Sequence, residues 1–351
     1  MKEGWTYKKL GEVANVIHGK NQKDVLSEQG QYPIYGSGGN IMGYANDYLC
    51  EAGTTILGRK GSINNPLFIE ERFWNVDTAF GISAKEGNDS KFVYYFITSV
   101  DWLKKNTGTT LPSLTQQVVK SVELPVPSLS EQQRIVSRLD SAFAHIDERK
   151  ANAEKQLSEA RALFQKALTK AMEPKEGWAT MKLGEFAYMK AGVFVKASEI
   201  FSEYKDGLYP CYGGNGFRGY VREPNQDGDY CLIGRQGALC GCINRAKGIF
   251  RTTEHAVIVK PYDDIPTSLV YYMLISLNLN KYSTGAAQPG LSVKNIAEQV
   301  IINVPSKDEY NKIASRLDSL SAHVRELEDV LQKTIAECDA LKQTLLRQVF
   351  E

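Results

Sequence analysis

The sequence predicts an α+β protein. Two similar α/β domains are each followed by a long helix, and the two helices form an antiparallel coiled coil with pseudo-twofold symmetry. Three observations carry this reading. A strand-to-helix junction near the middle of the chain returns near its end, the segments upstream of both junctions repeat, and helical periodicity then persists for some forty residues with matched irregularities.

The first junction reads Val122-Glu123-Leu124-Pro125-Val126-Pro127-Ser128-Leu129, then Ser130-Glu131-Gln132-Gln133-Arg134-Ile135. Pro125 and Pro127 bias their neighbours toward extended backbone, whereas Ser130 with Gln133 has the spacing of a capping box. A strand therefore ends here and a helix begins at Glu131. The second copy reads Val304-Pro305-Ser306, then Glu309, and Ser137-Arg138-Leu139-Asp140-Ser141 recurs as Ser315-Arg316-Leu317-Asp318-Ser319. This duplication sets the expected boundaries: domains over 1–127 and 173–305, helical regions over 128–172 and 306–351.

Composition is that of a soluble globular chain of 351 residues with net charge +1. The six cysteines lack the dense spacing of secreted scaffolds and favour reduced thiols. Met1-Lys2-Glu3-Gly4-Trp5 has no apolar core, and the apolar stretch near Ser268–Leu279 is broken by Ser276 and Asn278. The expectation is a cytoplasmic protein with no membrane association. A net charge so close to zero names no partner, so positive potential for nucleic acid has to come from local loops.

Within the domains, Lys9-Leu10-Gly11-Glu12 matches Lys182-Leu183-Gly184-Glu185. Tyr32-Pro33-Ile34-Tyr35-Gly36 matches Tyr209-Pro210-Cys211-Tyr212-Gly213, and Ile56-Leu57-Gly58-Arg59-Lys60-Gly61 matches Leu232-Ile233-Gly234-Arg235-Gln236-Gly237. These are short strands breaking into glycine turns. Asp89 or Ser90 can start a helix carrying Phe92, Phe96, Val100 and Leu103, and its copy opens at Thr267 or Ser268. Each helix gives way to a polar loop, Thr107-Gly108-Thr109-Thr110-Leu111-Pro112 or Thr284-Gly285-Ala286-Ala287-Gln288-Pro289.

The first long helix places Leu139, Ala142, Ile146, Arg149, Ala153, Leu157, Ala160, Phe164, Ala167 and Ala171 on one stripe. The second places Ile313, Leu317, Leu320, Val324, Leu327, Leu331, Ile335, Cys338, Lys342, Leu345 and Val349. Consecutive four-residue steps at Ala153–Leu157 and Leu331–Ile335 match, as in a coiled coil with its discontinuities in register. Arg149 and Lys342 interrupt the seam, with Leu163 and Leu341 as local replacements. A helix of this length spans roughly 60 Å, whereas a domain of this size has a radius of gyration of about 14 Å, so the returning helix has to run antiparallel.

Tyr35, Ser37, Asn40, Arg59, Lys60 and Thr109 in the first domain form the candidate DNA-binding set. Tyr212, Asn215, Arg218, Arg235, Gln236 and Gln288 are their counterparts in the second. Amide and guanidinium groups on glycine loops can bond base edges and phosphates. The plainer alternative is that the glycines only make turns and the charges are solvated. The turns are kept between repeats while the tips differ, Ser37 against Gly214 and Lys60 against Gln236, as reading two different sequences requires.

No catalytic arrangement emerges. Cys231, Cys240, Cys242 and His255 fit no common zinc spacing, Gly53–Lys60 lacks the Gly-Lys-Ser/Thr ending of a phosphate loop, and Asn64-Asn65-Pro66-Leu67-Phe68 lacks the second proline of the adenine-methyltransferase motif.

The whole chain resembles the specificity (S) subunit of type I restriction-modification enzymes. The resemblance rests on the Tyr-Pro-x-Tyr-Gly and Gly-Arg-x-Gly elements and on Pro125-Val126-Pro127-Ser128-Leu129-Ser130-Glu131-Gln132-Gln133-Arg134-Ile135, whose second copy carries Tyr310-Asn311-Lys312 in place of Gln132-Gln133-Arg134. It implies a non-catalytic subunit whose two target-recognition domains bind the halves of a split, asymmetric double-stranded DNA target. Its helices would dock two methyltransferase (M) subunits, and motor-nuclease (R) subunits would complete the enzyme. S-adenosylmethionine, and ATP with Mg, would be bound by those partners and no cofactor by this chain. The helix length then sets half-site centres about one duplex turn apart. A coiled-coil scaffold whose globular ends bind protein, and an enzyme with an unfamiliar site, remain the rival classes.

Overall fold

The computed structural model describes residues 4–237, 239–285 and 289–350. The first domain runs β1 (Thr6–Lys9), α1 (Leu10–Val13), β2 (Ala14–His18), β3 (Tyr32–Tyr35), β4 (Ile41–Ala45), β5 (Thr54–Gly58), β6 (Leu67–Ile69), β7 (Trp74–Asn75), β8 (Ala79–Ala84), α2 (Ser90–Ser99), α3 (Gln116–Ser121) and β9 (Glu123–Val126). The long helix α4 (Leu129–Ala171) follows. The second domain repeats the order with β10 (Ala179–Lys182), α5 (Leu183–Phe186), β11 (Ala187–Ala191), β12 (Tyr209–Gly213), β13 (Gly216–Val221), β14 (Gln226–Gly234), β15 (Ile243–Thr252), β16 (Ala256–Pro261), α6 (Thr267–Ser276), α7 (Val293–Gln299) and β17 (Ile301–Val304), and ends in α8 (Tyr310–Phe350).

The chain forms two compact units, residues 1–154 with 332–351 and residues 155–331. In the first, β1 pairs with β9, β2-β8-β5-β6 form an antiparallel sheet, and β4-β3-β7 a second one in which β3 and β7 are parallel. In the other unit, β10 pairs with β17, and β11-β16-β14-β15-β12-β13 form one six-stranded sheet. The difference has a local cause. β15 runs unbroken and pairs with both β14 and β12, whereas the matching stretch of the first domain is interrupted between β6 and β7, around Glu70-Glu71.

The Lys-Leu-Gly-Glu repeats each make one helical turn. The backbone N–H of Lys9 donates to Glu12 Oε2 at 2.6 Å, and that of Lys182 to Glu185 Oε2 at 2.9 Å. Their glycines are needed for close packing: a methyl group at Gly11 would stand 3.0 Å from Lys120 Cβ on α3, and one at Gly184 would stand 3.0 Å from Ala297 Cβ on α7.

Asp89 caps α2, its carboxylate accepting from Phe92 N at 2.9 Å. The helix stops at Ser99, short of the predicted span. Leu103 is consequently 56% exposed, and Trp102 fills the core instead, its indole donating to Ile97 O at 2.9 Å. The cap of α4 also differs from expectation. Ser128 provides it, its Oγ accepting from Glu131 N at 3.4 Å, so the helix starts at Leu129 and Gln133 is exposed.

Each unit buries the start of one long helix and the end of the other. Val136 and Leu139 of α4 pack with Leu346 and Phe350 of α8 in the first core, where the Phe350 ring lies 5.2 Å from Phe92 and 5.6 Å from Phe96. Ala314 and Leu317 of α8 pack with Leu168 of α4 in the second. Lys150 pairs with Asp339 at 2.7 Å and Lys342 pairs with Asp147, so within the first unit these stretches run in opposite directions. In the other unit Arg161 pairs with Glu328 at 2.6 Å.

The predicted stripe needs correction at its ends and at its flaws. Leu346 and Leu168 are fully buried, ahead of the expected Leu345 and Ala167, because the helix ends turn toward a domain core. Leu327 is 42% exposed, and Leu163 and Leu341, at 61% and 48%, replace nothing. Lys342 stays in place by carrying its charge out to Asp147 while its ammonium lies 5.2 Å from the centre of the Phe143 ring.

Candidate nucleic-acid interface

Three loops meet in each domain, and backbone bonds hold them together. In the first domain Arg59 N and Lys60 N donate to Thr78 O at 2.8 and 3.1 Å, Gly61 N donates to Pro112 O at 2.9 Å, and Leu114 N donates to Arg59 O at 2.9 Å. In the second Arg235 N donates to His255 O at 3.0 Å, Gly237 N to Pro289 O at 3.0 Å, and Leu291 N to Arg235 O at 2.8 Å. The Gly-Arg-x-Gly turn is thus stitched to the polar Thr-Gly loop on one side and to the turn before β8 or β16 on the other. Isolated bridges Lys60–Ser113 and Gln236–Gly290 complete the seam.

The Tyr-x-Gly loop stands beside this seam. In the second domain a methyl group on Gly234 would fall 2.0 Å from Gly214 O, and Cys242 Sγ donates to the same carbonyl at 2.8 Å. Glycine at 234 is therefore what lets the two loops touch. An open cleft of about 390 Å³ results, lined by Gly214, Asn215, Arg218, Gln236, Gly237 and His255. Three predicted residues, Asn215, Arg218 and Gln236, are brought together there, all with exposed side chains.

The two arginines are tethered as well as presented. Arg59 Nη1 donates to Asp77 O at 3.0 Å and Arg235 Nε to Leu291 O at 3.3 Å, which fixes one edge of each half-buried guanidinium. Lys60, Asn40 and Thr109 are exposed and Ser37 is half-buried; the Ser37–Asn40 turn is closed by Gly36 N donating to Asn40 O at 3.0 Å. Asn106 shapes the loop that carries Thr109, its Oδ1 accepting from Gly108 N and Ser113 N, both at 2.8 Å. Gln288 lies outside the described residues.

The tyrosines sit deeper than the tips. Tyr35 stacks edge-on against Phe73 and donates to Glu71 Oε1 at 3.2 Å; burial and that carboxylate raise its pKa. Tyr212 packs against Phe250 and Phe217. Both anchor the loop they precede.

Sequence reading missed two groups. The turns Val76-Asp77-Thr78 and Thr253-Glu254-His255 border the site, yet their residues differ between domains and so gave no repeat signal. Gln132 is buried at the base of α4, its amide donating to Pro127 O at 3.0 Å and its carbonyl accepting from Asp89 N at 2.8 Å. It stands within the Pro125–Ile135 motif, but its counterpart in the second junction is Tyr310, so the repeat did not single it out.

The unabsorbed motifs have structural roles. Asn64 Oδ1 accepts from Trp102 N at 2.8 Å. Cys50 and Cys231 are buried thiols whose pKa burial pushes up to about 12, and all six cysteines are free. Among the described residues no group of three or more His, Cys, Asp or Glu side chains could hold a metal ion, and no helix is long and apolar enough to cross a membrane.

Each of the two mixed α/β domains carries the same three-loop site and is joined to a long helix. The type I restriction modification DNA specificity domain matches residues 2–158 and again residues 175–337. The chain is 34% identical over 315 residues to the type I restriction enzyme EcoprrI specificity subunit of Escherichia coli, covering 86% of this chain and 76% of that one. Among solved structures, a chain from work on complex assembly and conformational transition of the type I restriction-modification system is 19% identical, with TM-score 0.78 and coverage of 99% and 98%. The S subunit from M. genitalium is 22% identical, with TM-score 0.51 and coverage of 99% and 96%; at these identities both structures speak to the fold alone. The chain belongs to the type I restriction-modification DNA specificity family, and its role is recognition rather than catalysis.

Proposed function

We propose that this chain reads a bipartite, asymmetric double-stranded DNA target, one half-site per domain, and delivers it to methyltransferase subunits docked on α4 and α8. One observation carries the reading: the same three-loop frame occurs in both domains with different side chains at its tips, Lys60 against Gln236 and Ser37 against Gly214. A shared frame fixes how DNA is met, and altered tips change which base edges are bonded. On this reading Ser37, Asn40, Arg59, Lys60 and Thr109 serve one half-site, Asn215, Arg218, Arg235, Gln236 and Gln288 serve the other, and Tyr35 and Tyr212 support them.

The helices form an antiparallel coiled coil over their length in this proposal. The ion pairs Lys150–Asp339, Lys342–Asp147 and Arg161–Glu328 support it, since each fits one opposed register. The partners supply the chemistry: two methyltransferase subunits bind S-adenosylmethionine and flip the target adenine, and motor-nuclease subunits use ATP with Mg. Mapping N6-methyladenine in a host genome with and without the gene tests the proposal. It predicts methylation confined to one split motif that vanishes with the gene; unchanged methylation contradicts it.

A further inference from the structure

The hairpins that carry the two Tyr-x-Gly loops are built on one register. In the first domain Tyr35 stands opposite Ile41 and Pro33 opposite Tyr44; in the second Tyr212 stands opposite Phe217 and Pro210 opposite Tyr220. The ladder slips at the same place in both. Arg218 falls between Phe217, opposite Tyr212, and Gly219, opposite Cys211, so it is the extra residue of a bulge. Met42 holds the matching place after Ile41, although the loop before it is one residue longer. Bulges re-aim a side chain away from the regular alternation of a strand.

Both re-aimed side chains lie across the glycine of the loop. A methyl group on Gly36 would stand 3.2 Å from Met42 Sδ, and one on Gly213 would stand 2.4 Å from Arg218 Cδ. The repeated glycine thus leaves room for the bulged residue to reach over the loop. Both ends stay open to solvent. Met42 is 49% exposed, and Arg218 is exposed and lines the cleft with Asn215 and Gln236. Ile41 and Tyr44 beside Met42 are 51% and 47% exposed, so the thioether belongs to an apolar surface rather than standing alone among polar tips. A neutral thioether adds nothing to phosphate binding, so affinity for the DNA backbone does not explain it. The apolar feature that DNA offers in its major groove is the 5-methyl group of thymine, whereas a guanidinium matches O6 and N7 of guanine.

We propose that this bulged position is specificity-determining in both domains, Met42 packing on the methyl group of a thymine in one half-site and Arg218 bonding O6 and N7 of a guanine in the other. The assignment rests on the bipartite reading above and deepens it to one base per half-site.

The full chain assembled on its methyltransferase subunits first selects its target from a randomised DNA library. Each thymine of that target is then replaced in turn by deoxyuridine, which lacks only the methyl group, and affinities are compared by competition. One thymine of one half-site should lose about fourfold on replacement, the worth of one buried methyl group. Met42→Ala should abolish that difference and Met42→Leu should keep it. Selection with Met42→Arg should return guanine at the same position, and Arg218→Met should exchange a guanine of the other half-site for thymine, with the gap unchanged. These exposed positions tolerate substitution without loss of the fold. Any one of three results overturns the inference: no thymine whose response to deoxyuridine depends on Met42, an unchanged motif in either exchange, or an equal loss on all DNA. If the unaltered chain selects no split motif, it is the functional reading that fails.

Discussion

The Tyr272 hydroxyl donates to Asp318 at 2.8 Å, tying α6 to the start of α8. The repeat holds the same bond, from Tyr95 on α2 to Asp140 on α4. In both units a buried tyrosine on the domain's helix thus sets where the long helix leaves the domain, through a carboxylate conserved between the repeated Arg-Leu-Asp-Ser segments.

Burial, then Asp318, pushes the Tyr272 pKa up to about 12 from an ordinary value near 10. A raised folded-state pKa contributes stability that is fully present below pH 10 and lost as pH rises through 12. Tyr272→Phe should lower stability at neutral pH by about 1 to 2 kcal/mol and flatten the alkaline loss between those limits. Urea unfolding at stepped pH measures both; an unchanged alkaline slope would show that Tyr272 does not carry it.

Leu168 and Leu346 are completely buried where the ends of the long helices enter the domain cores. Each Leu→Ala change should cost about 2 to 5 kcal/mol. Leu163→Ala, on an exposed face, should stay within about 0.5 kcal/mol. Equal losses in denaturant titrations would mean that the helix faces are wrongly assigned.

Those leucines mark what the sequence could and could not convey. Periodicity located both helices, but a stripe does not say whether it faces a helix or a domain, so the burial of Leu168 and Leu346 was not legible. Arg59 and Arg235 were legible as paired loop residues because glycines flanked both. Their carbonyl tethers depend on contacts far along the chain, and nothing local announces these. His255 was hidden for the opposite reason: a residue that differs between repeats leaves no trace in a repeat search. The fusion of two sheets into one through β15 likewise follows from the absence of an interruption, which short strand signals do not reveal.

Arg235→Ala should weaken recognition of one half-site only, with a loss of about 1 to 3 kcal/mol at the base it contacts. Competition binding of the assembled complex against single-position variants of its target measures this. A uniform loss on all DNA would assign Arg235 to a phosphate.

Removing one heptad from the middle of α4 and the matching heptad from α8 shortens each rod by roughly 10 Å, about three base pairs. Selection from a library with randomised spacers should return a shorter gap between unchanged half-sites. An unaltered gap would show that the helices do not set it.

The most direct test of two unlike recognition domains is a domain exchange. Replacing residues 179–304 with a second copy of residues 6–126, keeping both long helices, should convert the selected target of the assembled complex from two different half-sites into two copies of one, arranged as an inverted repeat. If the exchanged protein still selects the original asymmetric pair, or the parent chain selects a single uninterrupted sequence, the assignment of one half-site to each domain is wrong.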